Sequence, residues 1–229
     1  MRFLAVTERF VSRYFPEASV VVLAGSTSRG ARTSTSDIDL LILGETIFAD
    51  DRTSLAATYR FEDEVFEVFA YTEEGFAAWA NRGFEQHRPV IVQMLLDGIT
   101  VRGPAEHERY RQAWSPKYEA GPTLDPAEAT FRRYVITDLL DDYSDATDPI
   151  ERHILAALLF DKTAELVLLT NSRWIGAGKY LPRRLAEFDS DRAAALGAPL
   201  LAGSHSRFAT QIGLELDRAG GRIQEGFQR

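Results

Sequence analysis

Cysteine is absent from all 229 residues. That excludes a disulfide framework and any thiolate metal site, so neither an oxidising compartment nor structural zinc is suggested. No run of about 18 apolar residues occurs, which speaks against a transmembrane helix. The opening Met1-Arg2-Phe3-Leu4 lacks the apolar stretch and small-residue cleavage site of a secretory leader. The expected location is cytoplasmic. Positive charge is also in short supply: 26 Lys and Arg against 34 Asp and Glu leave a formal net charge of −8. Without a concentrated basic run to neutralise phosphates, a tRNA or DNA substrate is disfavoured. A cationic small molecule or a basic patch on a protein suits such a surface better. Histidine is scarce as well, and His87, His107, His153 and His205 lie far apart without metal-ligand spacing, so each reads as structural or exposed. No internal repeat or low-complexity tract is visible.

What is present can build a fold. A hydrophobic fraction of 45% over this length supports one large domain or two modest ones. Phe3, Val6, Phe10, Val11 and Tyr14 recur every three or four residues, so residues 2–15 read as an amphipathic helix stopped by Pro16. Residues 19–24 form a first strand, and their unbroken Val-Val-Val-Leu indicates burial on both faces. Residues 37–43 form a second strand and residues 64–71 a third. Short helices are expected at 75–81 and 88–96, a short strand at 99–102, and a polar helix at 105–114. Three prolines and a glycine between Ser115 and Pro126 mark the best linker. Beyond it only helical patterns appear, at about 127–143, 149–170, 179–188, 190–201 and 206–219. The expected class is α+β: an α/β domain with a short mixed sheet over residues 1–120, then an α-helical bundle over 121–229.

Chemistry concentrates near the start. Gly25-Ser26-Thr27-Ser28-Arg29-Gly30 follows the first strand, and Ser36-Asp37-Ile38-Asp39 opens the second. Successive side chains of a strand alternate faces, so Asp37 and Asp39 share one, about 7 Å apart along the chain. Two anionic oxygen ligands on one face suit a hard divalent cation that keeps substrate phosphates as further ligands. Gly25 allows close approach of a phosphate, and Ser26 offers a hydroxyl and an N–H to an anion. On the third strand Glu67 is a lone acid among Val65, Phe69 and Tyr71, and a charge there needs a partner or a metal.

The pattern Gly-Ser, three residues, Gly, five residues, Ser-Asp-x-Asp between two apolar strands resembles the signature of the DNA polymerase beta-like nucleotidyltransferase superfamily. The resemblance implies transfer of a nucleoside monophosphate from a nucleoside triphosphate to a hydroxyl, with two magnesium ions held by carboxylates. It gives Asp37 and Asp39 that role and makes Glu67 the third ligand, where aspartate is more usual. It also places Gly25, Ser26 and Ser36 at the nucleotide.

A second resemblance covers the helical half. Thr137-Asp138-Leu139-Leu140-Asp141-Asp142, Trp174-Ile175-Gly176-Ala177-Gly178-Lys179-Tyr180-Leu181 and the closing Gly220-Gly221 and Gly226-Phe227 look like the C-terminal region of bacterial nucleotidyltransferase-domain proteins similar in plan to the kanamycin nucleotidyltransferases. Lys179, with Arg183 behind it, is the first choice to meet the leaving pyrophosphate, at a helix start where N–H groups also favour an anion. For the general base that takes the acceptor's proton, Asp142 and Asp138 are the candidates: both fall beside Phe131 and Val135, on a helix whose apolar side is read as Phe131, Val135, Leu139 and Tyr143, while Asp141 points toward solvent. Glu151 is already explained as a capping residue. Trp79, Trp114 and Trp174 could stack a base, but core packing is the commoner use of an aromatic.

These readings converge on an ATP-using, magnesium-dependent adenylyltransferase acting on a small-molecule hydroxyl, of which an aminoglycoside-like antibiotic is one example. The active site is expected between the two domains, and a homodimer follows from the kanamycin enzymes, in which two subunits share each site. No nucleic-acid or membrane partner is expected. Two alternatives stand: a protein-modifying (AMPylating) enzyme of antitoxin type, and a nucleotide-binding module without catalysis.

Overall fold

Helix α1 (Arg2–Tyr14) forms where apolar residues recur at helical spacing, and it ends ahead of Pro16. The computed structural model describes residues 2–33 and 35–224, so Gly226 and Phe227 lie outside the described residues. Between Ala120 and Gly121 the chain divides into an N-terminal and a C-terminal unit.

In the N-terminal unit α1 is followed by β1 (Val20–Leu23), the one-turn helix α2 (Gly25–Ser28), β2 (Ile38–Leu43), β3 (Ser54–Phe61) and β4 (Glu64–Tyr71). Helices α3 (Glu73–Glu85) and α4 (Val90–Asp97), strand β5 (Ile99–Arg102) and helix α5 (Pro104–Glu119) complete it. The five strands form one mixed sheet in the order β3-β4-β2-β1-β5. The β2–β4 pair is parallel and the other pairs are antiparallel. Every residue of β1 and all but one of β2 are buried, as their unbroken apolar runs imply. The exception in β2 is Asp39.

Strand β3 was not expected. Its signal is the alternation Leu55, Ala57, Tyr59, Phe61 on the partly buried face against exposed Ala56, Thr58 and Arg60. The turn into β4 is only Glu62-Asp63, and both residues have positive φ, at 46° and 60°. That is the geometry of a tight hairpin turn built without the usual Asn or Gly, so these two acids are the turn itself. The polar stretch after the first strand opens with a helical turn, Gly25–Ser28. A further correction concerns the linker: α5 runs through Pro116 to Glu119, which leaves only residues 120–125 irregular before the next helix.

Phe10 is the hub of the α1 face of the sheet. Its ring stacks on Phe66 with centroids 4.2 Å apart and meets Tyr59 and Phe61 at 5.4 and 5.8 Å. Ile38, Leu40, Ile42, Phe66, Val68 and Ala70 join α1 in this core. By alternation Asp39, Leu41, Glu67 and Tyr71 face the other way. On that side the Phe76 ring of α3 meets Tyr71 edge-on at 6.1 Å and Trp114 of α5 at 5.5 Å.

The C-terminal unit holds α6 (Pro126–Asp145), α7 (Pro149–Thr170), α8 (Tyr180–Phe188), α9 (Ser190–Leu201) and α10 (His205–Arg218), and no strand among its described residues. Helix α7 starts as its sequence implies: the Asp148 side chain accepts from the N–H groups of Ile150 and Glu151, and Pro149 occupies the first turn. Ile136, Leu140, Leu159, Leu166, Phe208, Ile212 and Leu216 centre the core. The apolar side of α6 is therefore Ile136, Leu140 and Tyr143 rather than the Phe131 arc, and Phe131 is 46% exposed. Two apolar arcs run along this helix, and the one that meets α7 is buried. Two buried carboxylates stitch the bundle: Glu165 pairs with Arg132 at 3.0 Å, and Glu215 with Arg192 and Arg218. The histidines are less dispersed than their spacing suggests. His153 and His205 line one cavity of about 70 Å³ with Tyr143 and Arg152, which is far below the size of a drug-sized ligand site. Among the described residues, no helix is long and apolar enough to cross a membrane.

His107 ties three elements of the first unit together. Its Nε2–H donates to the Leu95 carbonyl of α4 at 2.7 Å, which leaves Nδ1 to accept from the Thr100 hydroxyl of β5 at 2.6 Å. Burial holds its pKa below the usual histidine value, partly opposed by the bond to Leu95. A depressed histidine pKa contributes stability above the unfolded value near 6.5 that is lost as pH falls toward the folded value. Urea unfolding at pH 8 and pH 5 should therefore show a larger acid loss for the wild type than for His107→Gln. Equal losses would mean that His107 does not contribute to the acid sensitivity.

Candidate active site

The parallel register of β2 and β4 sets Asp39 directly beside Glu67. Asp37 stands just ahead of β2, two residues away and on the same face. One carboxylate oxygen from each of Asp37, Asp39 and Glu67 lies within 4.8 Å of the other two, and all three residues are half-buried. Among the described residues this is the one group of three or more acidic or histidine side chains placed to hold a metal ion. β4 is an internal strand, so Glu67 is not an edge-strand acid facing solvent.

Three like charges at this distance repel. Burial raises the Glu67 carboxyl above its ordinary value, and the neighbouring Asp37 and Asp39 raise it further. The donor set fits hard divalent cations, which take carboxylate oxygens and relieve this repulsion. It also fits a pair of ions, because two-metal sites place them about 4 Å apart.

Gly25 holds the cluster from the opposite strand end. Its φ is +66°, and a Cβ there would lie 1.7 Å from Asp39 Oδ2. The glycine is thus required to seat the Asp39 carboxylate, a reason more immediate than phosphate approach. Ala24 N–H donates to the Asp39 carbonyl at 2.9 Å, and the Thr27 hydroxyl to the Asp37 carbonyl at 3.1 Å. Ser26 lies half-buried in α2 beside this turn. Ser36 closes its own loop: Thr33 N–H donates to Ser36 Oγ at 2.9 Å, and the two hydroxyls are 3.0 Å apart.

The remaining candidates belong to the C-terminal unit. Asp138 and Asp142 are exposed on α6, whereas Asp141 pairs with Arg222 and Gln224. Lys179 caps α8, and Lys179 and Arg183 both lie over the Tyr180 ring, at 5.4 and 5.6 Å from its centroid. The glycines before Lys179 have backbone reasons of their own. A Cβ on Gly176 would press on the Tyr180 backbone at 2.7 Å, and Gly178 takes a φ of +51°. The first N–H groups of α8, from Tyr180 and Leu181, already donate to the Ala177 and Gly178 carbonyls at 3.1 Å each. Trp174 is buried in its own unit. The sequence reading passed over Thr27, Arg32 and Glu64 as support for the cluster, although Thr27 lies inside the motif.

Residues 5–86 match the family model for the nucleotidyltransferase domain. The N-terminal unit carries a nucleotidyltransferase domain. The match spans α1 to α3 and so contains the Gly25 turn and all three carboxylates. It identifies that segment as a nucleotidyltransferase domain of the polymerase beta-like superfamily. Among solved structures, a nucleotidyltransferase-like protein from Exiguobacterium sibiricum 255-15 is similar over 95% of this chain and 74% of its own, at 12% identity and a TM-score of 0.46. No curated protein matches the chain.

Two substitutions test the geometry. Glu67→Gln should raise the thermal midpoint of the metal-free protein, because it removes one repelling charge worth about 1 kcal/mol after solvent screening. The same change should erase most of the stabilisation that added Mg²⁺ gives the wild type, and thermal scans with EDTA and with Mg²⁺ read both effects. Gly25→Ala should lower the midpoint in either condition, because the added carbon displaces Asp39. An unchanged midpoint in Gly25→Ala would contradict the packing of the turn on that carboxylate.

Proposed function

We propose that this nucleotidyltransferase moves AMP from ATP to a hydroxyl of a cationic small molecule of the aminoglycoside type, with Mg²⁺ as the metal. The observation that carries the reading is the convergence of Asp37, Asp39 and Glu67 on one sheet face within 4.8 Å. The net charge of −8 supports a cationic acceptor over a nucleic acid. When bound, divalent ions neutralise the triphosphate and stabilise charge on the attacking and departing oxygens.

The chain's own groups would divide the work as follows. Asp37, Asp39 and Glu67 hold the ions. Gly25 and Ser26 form the turn facing the triphosphate, and Ser36 shapes the loop that leads into the carboxylates. The acceptor oxygen attacks the α-phosphorus, the bond from that phosphorus to the bridging oxygen breaks, and pyrophosphate leaves. Asp142 or Asp138 takes the acceptor's proton as general base, and Lys179 and Arg183 meet the pyrophosphate. The two cations share the Tyr180 ring, which supports assigning them one task.

Incubation with α-labelled ATP and Mg²⁺, against aminoglycosides, lincosamides and total cell protein, should place label on a drug. Label on a protein band alone would move the reading to protein modification. Asp37→Ala with Asp39→Ala should cut transfer roughly a thousand-fold, equivalent to several kcal/mol of lost charge stabilisation, with the circular dichroism spectrum intact. Full transfer by that double variant would sink the mechanism.

A further inference from the structure

We infer that Arg32 is a positioning residue: it fastens the loop between Gly25 and Asp37 to the start of β4 and thereby fixes Asp37 relative to Glu67. The inference rests on the reading that these carboxylates bind divalent metal. Arg32 Nη2 donates to Glu64 Oε2 at 2.5 Å, with the two side chains only 21% and 13% exposed. Its Nη1 reaches Thr27 Oγ1 at 3.4 Å, and that hydroxyl donates onward to the Asp37 carbonyl. The guanidinium also lies over the Phe3 ring of α1, 4.7 Å from the centroid. One side chain therefore contacts the strand that carries Glu67, the turn that supports Asp37, and the helix that packs behind the sheet.

The direction of the contact decides the role. Along β4, Glu64 shares a face with Phe66 and Val68, which belong to the α1 core, whereas Glu67 faces the other side. Arg32 thus grips the loop from the face opposite the carboxylate cluster and acts through the backbone rather than on substrate. Among the described residues, these other bonds of the loop are local. Ser28 Oγ donates to the Gly25 carbonyl, Ala31 N–H to the Ser26 carbonyl, and Ser36 pairs with Thr33. Such bonds shape the loop without setting its distance from β4. A part-buried Arg–Glu pair suits that task, because any loop conformation that separates the two charges is penalised.

Positioning and simple electrostatics predict opposite signs. A bare positive charge near a cation site weakens binding, so removing it should tighten binding. Loss of a residue that orients metal ligands instead costs about 10- to 100-fold in metal affinity.

Mn²⁺ titration of the full chain, with free ion read by electron paramagnetic resonance well below the unfolding temperature, separates the two. Arg32→Ala should weaken Mn²⁺ binding about tenfold. Glu64→Ala should do the same, and the double variant should be no worse than either single one, as coupled neighbours require. Arg32→Lys should recover part of the loss, because one ammonium cannot span both Glu64 and Thr27. If Arg32→Ala fails to fold, the lysine variant and Glu64→Ala carry the test. Unchanged or tighter Mn²⁺ binding in folded Arg32 variants, or additive losses, would overturn the inference. Asp37→Ala with Asp39→Ala marks the underlying reading: wild-type Mn²⁺ binding that this variant does not abolish would overturn both, whereas its loss there beside an unaffected Arg32→Ala would remove the clamp alone.

Discussion

Mutual repulsion among Asp37, Asp39 and Glu67 is the constraint around which the N-terminal unit is built. Carboxylates within 4.8 Å of one another oppose folding unless something holds them there. The holding force comes from apolar burial in the same strands. Ile38, Leu40 and Leu41 on β2 and Phe66 and Val68 on β4 are fully buried, and they flank the acidic positions. Burying such side chains contributes roughly 2 kcal/mol each, so a few of them outweigh the electrostatic cost of the cluster. Alternation does the rest. One face of each strand supplies the core against α1, and the other presents the acids.

Parallel pairing is what turns two separate strands into one site. Asp39 and Glu67 are 28 positions apart in the chain and directly opposite in register, and a slip of one residue would send Glu67 to the α1 face, where Phe10 stacks on Phe66. The aromatic cluster under the sheet and the carboxylate cluster above it are therefore two consequences of one register. The hairpin of β3 and β4 reinforces it, since Tyr59 and Phe61 meet the same Phe10 ring.

Much of this was legible in the sequence, for reasons that differ by element. The Asp-x-Asp pair and the apolar runs around it read directly because period-2 alternation is local. Glu67 could be singled out as a lone acid among apolar neighbours, yet its partner across the sheet could not, because register is a long-range property. Strand β3 escaped because its turn is Glu62-Asp63, and acids seldom mark a turn that needs positive φ at both positions. On α6 the Phe131 and Ile136 arcs are equally apolar, and only packing against α7 decides which is buried. The α5 end was obscured by Pro116, which usually breaks a helix yet here lies within one.

Glycine and charge mark the two kinds of support the site draws on. At Gly25 the missing Cβ is occupied by the Asp39 carboxylate, so the motif's first residue is a spacing element for the second strand's acid. At Arg32 the support is ionic and reaches across 32 residues to Glu64. The C-terminal unit uses the same ionic device for its own packing, with Arg132 on Glu165 and Arg192 on Glu215, both carboxylates almost fully buried. Buried ion pairs of this kind add little net stability over apolar contacts, but they penalise any arrangement that separates them. In the bundle such a pair selects a helix packing. Across the sheet from the carboxylate cluster, the same penalty falls on any loop conformation that would carry Asp37 away from Glu67, so the pair selects the geometry in which three mutually repelling ligands stay together.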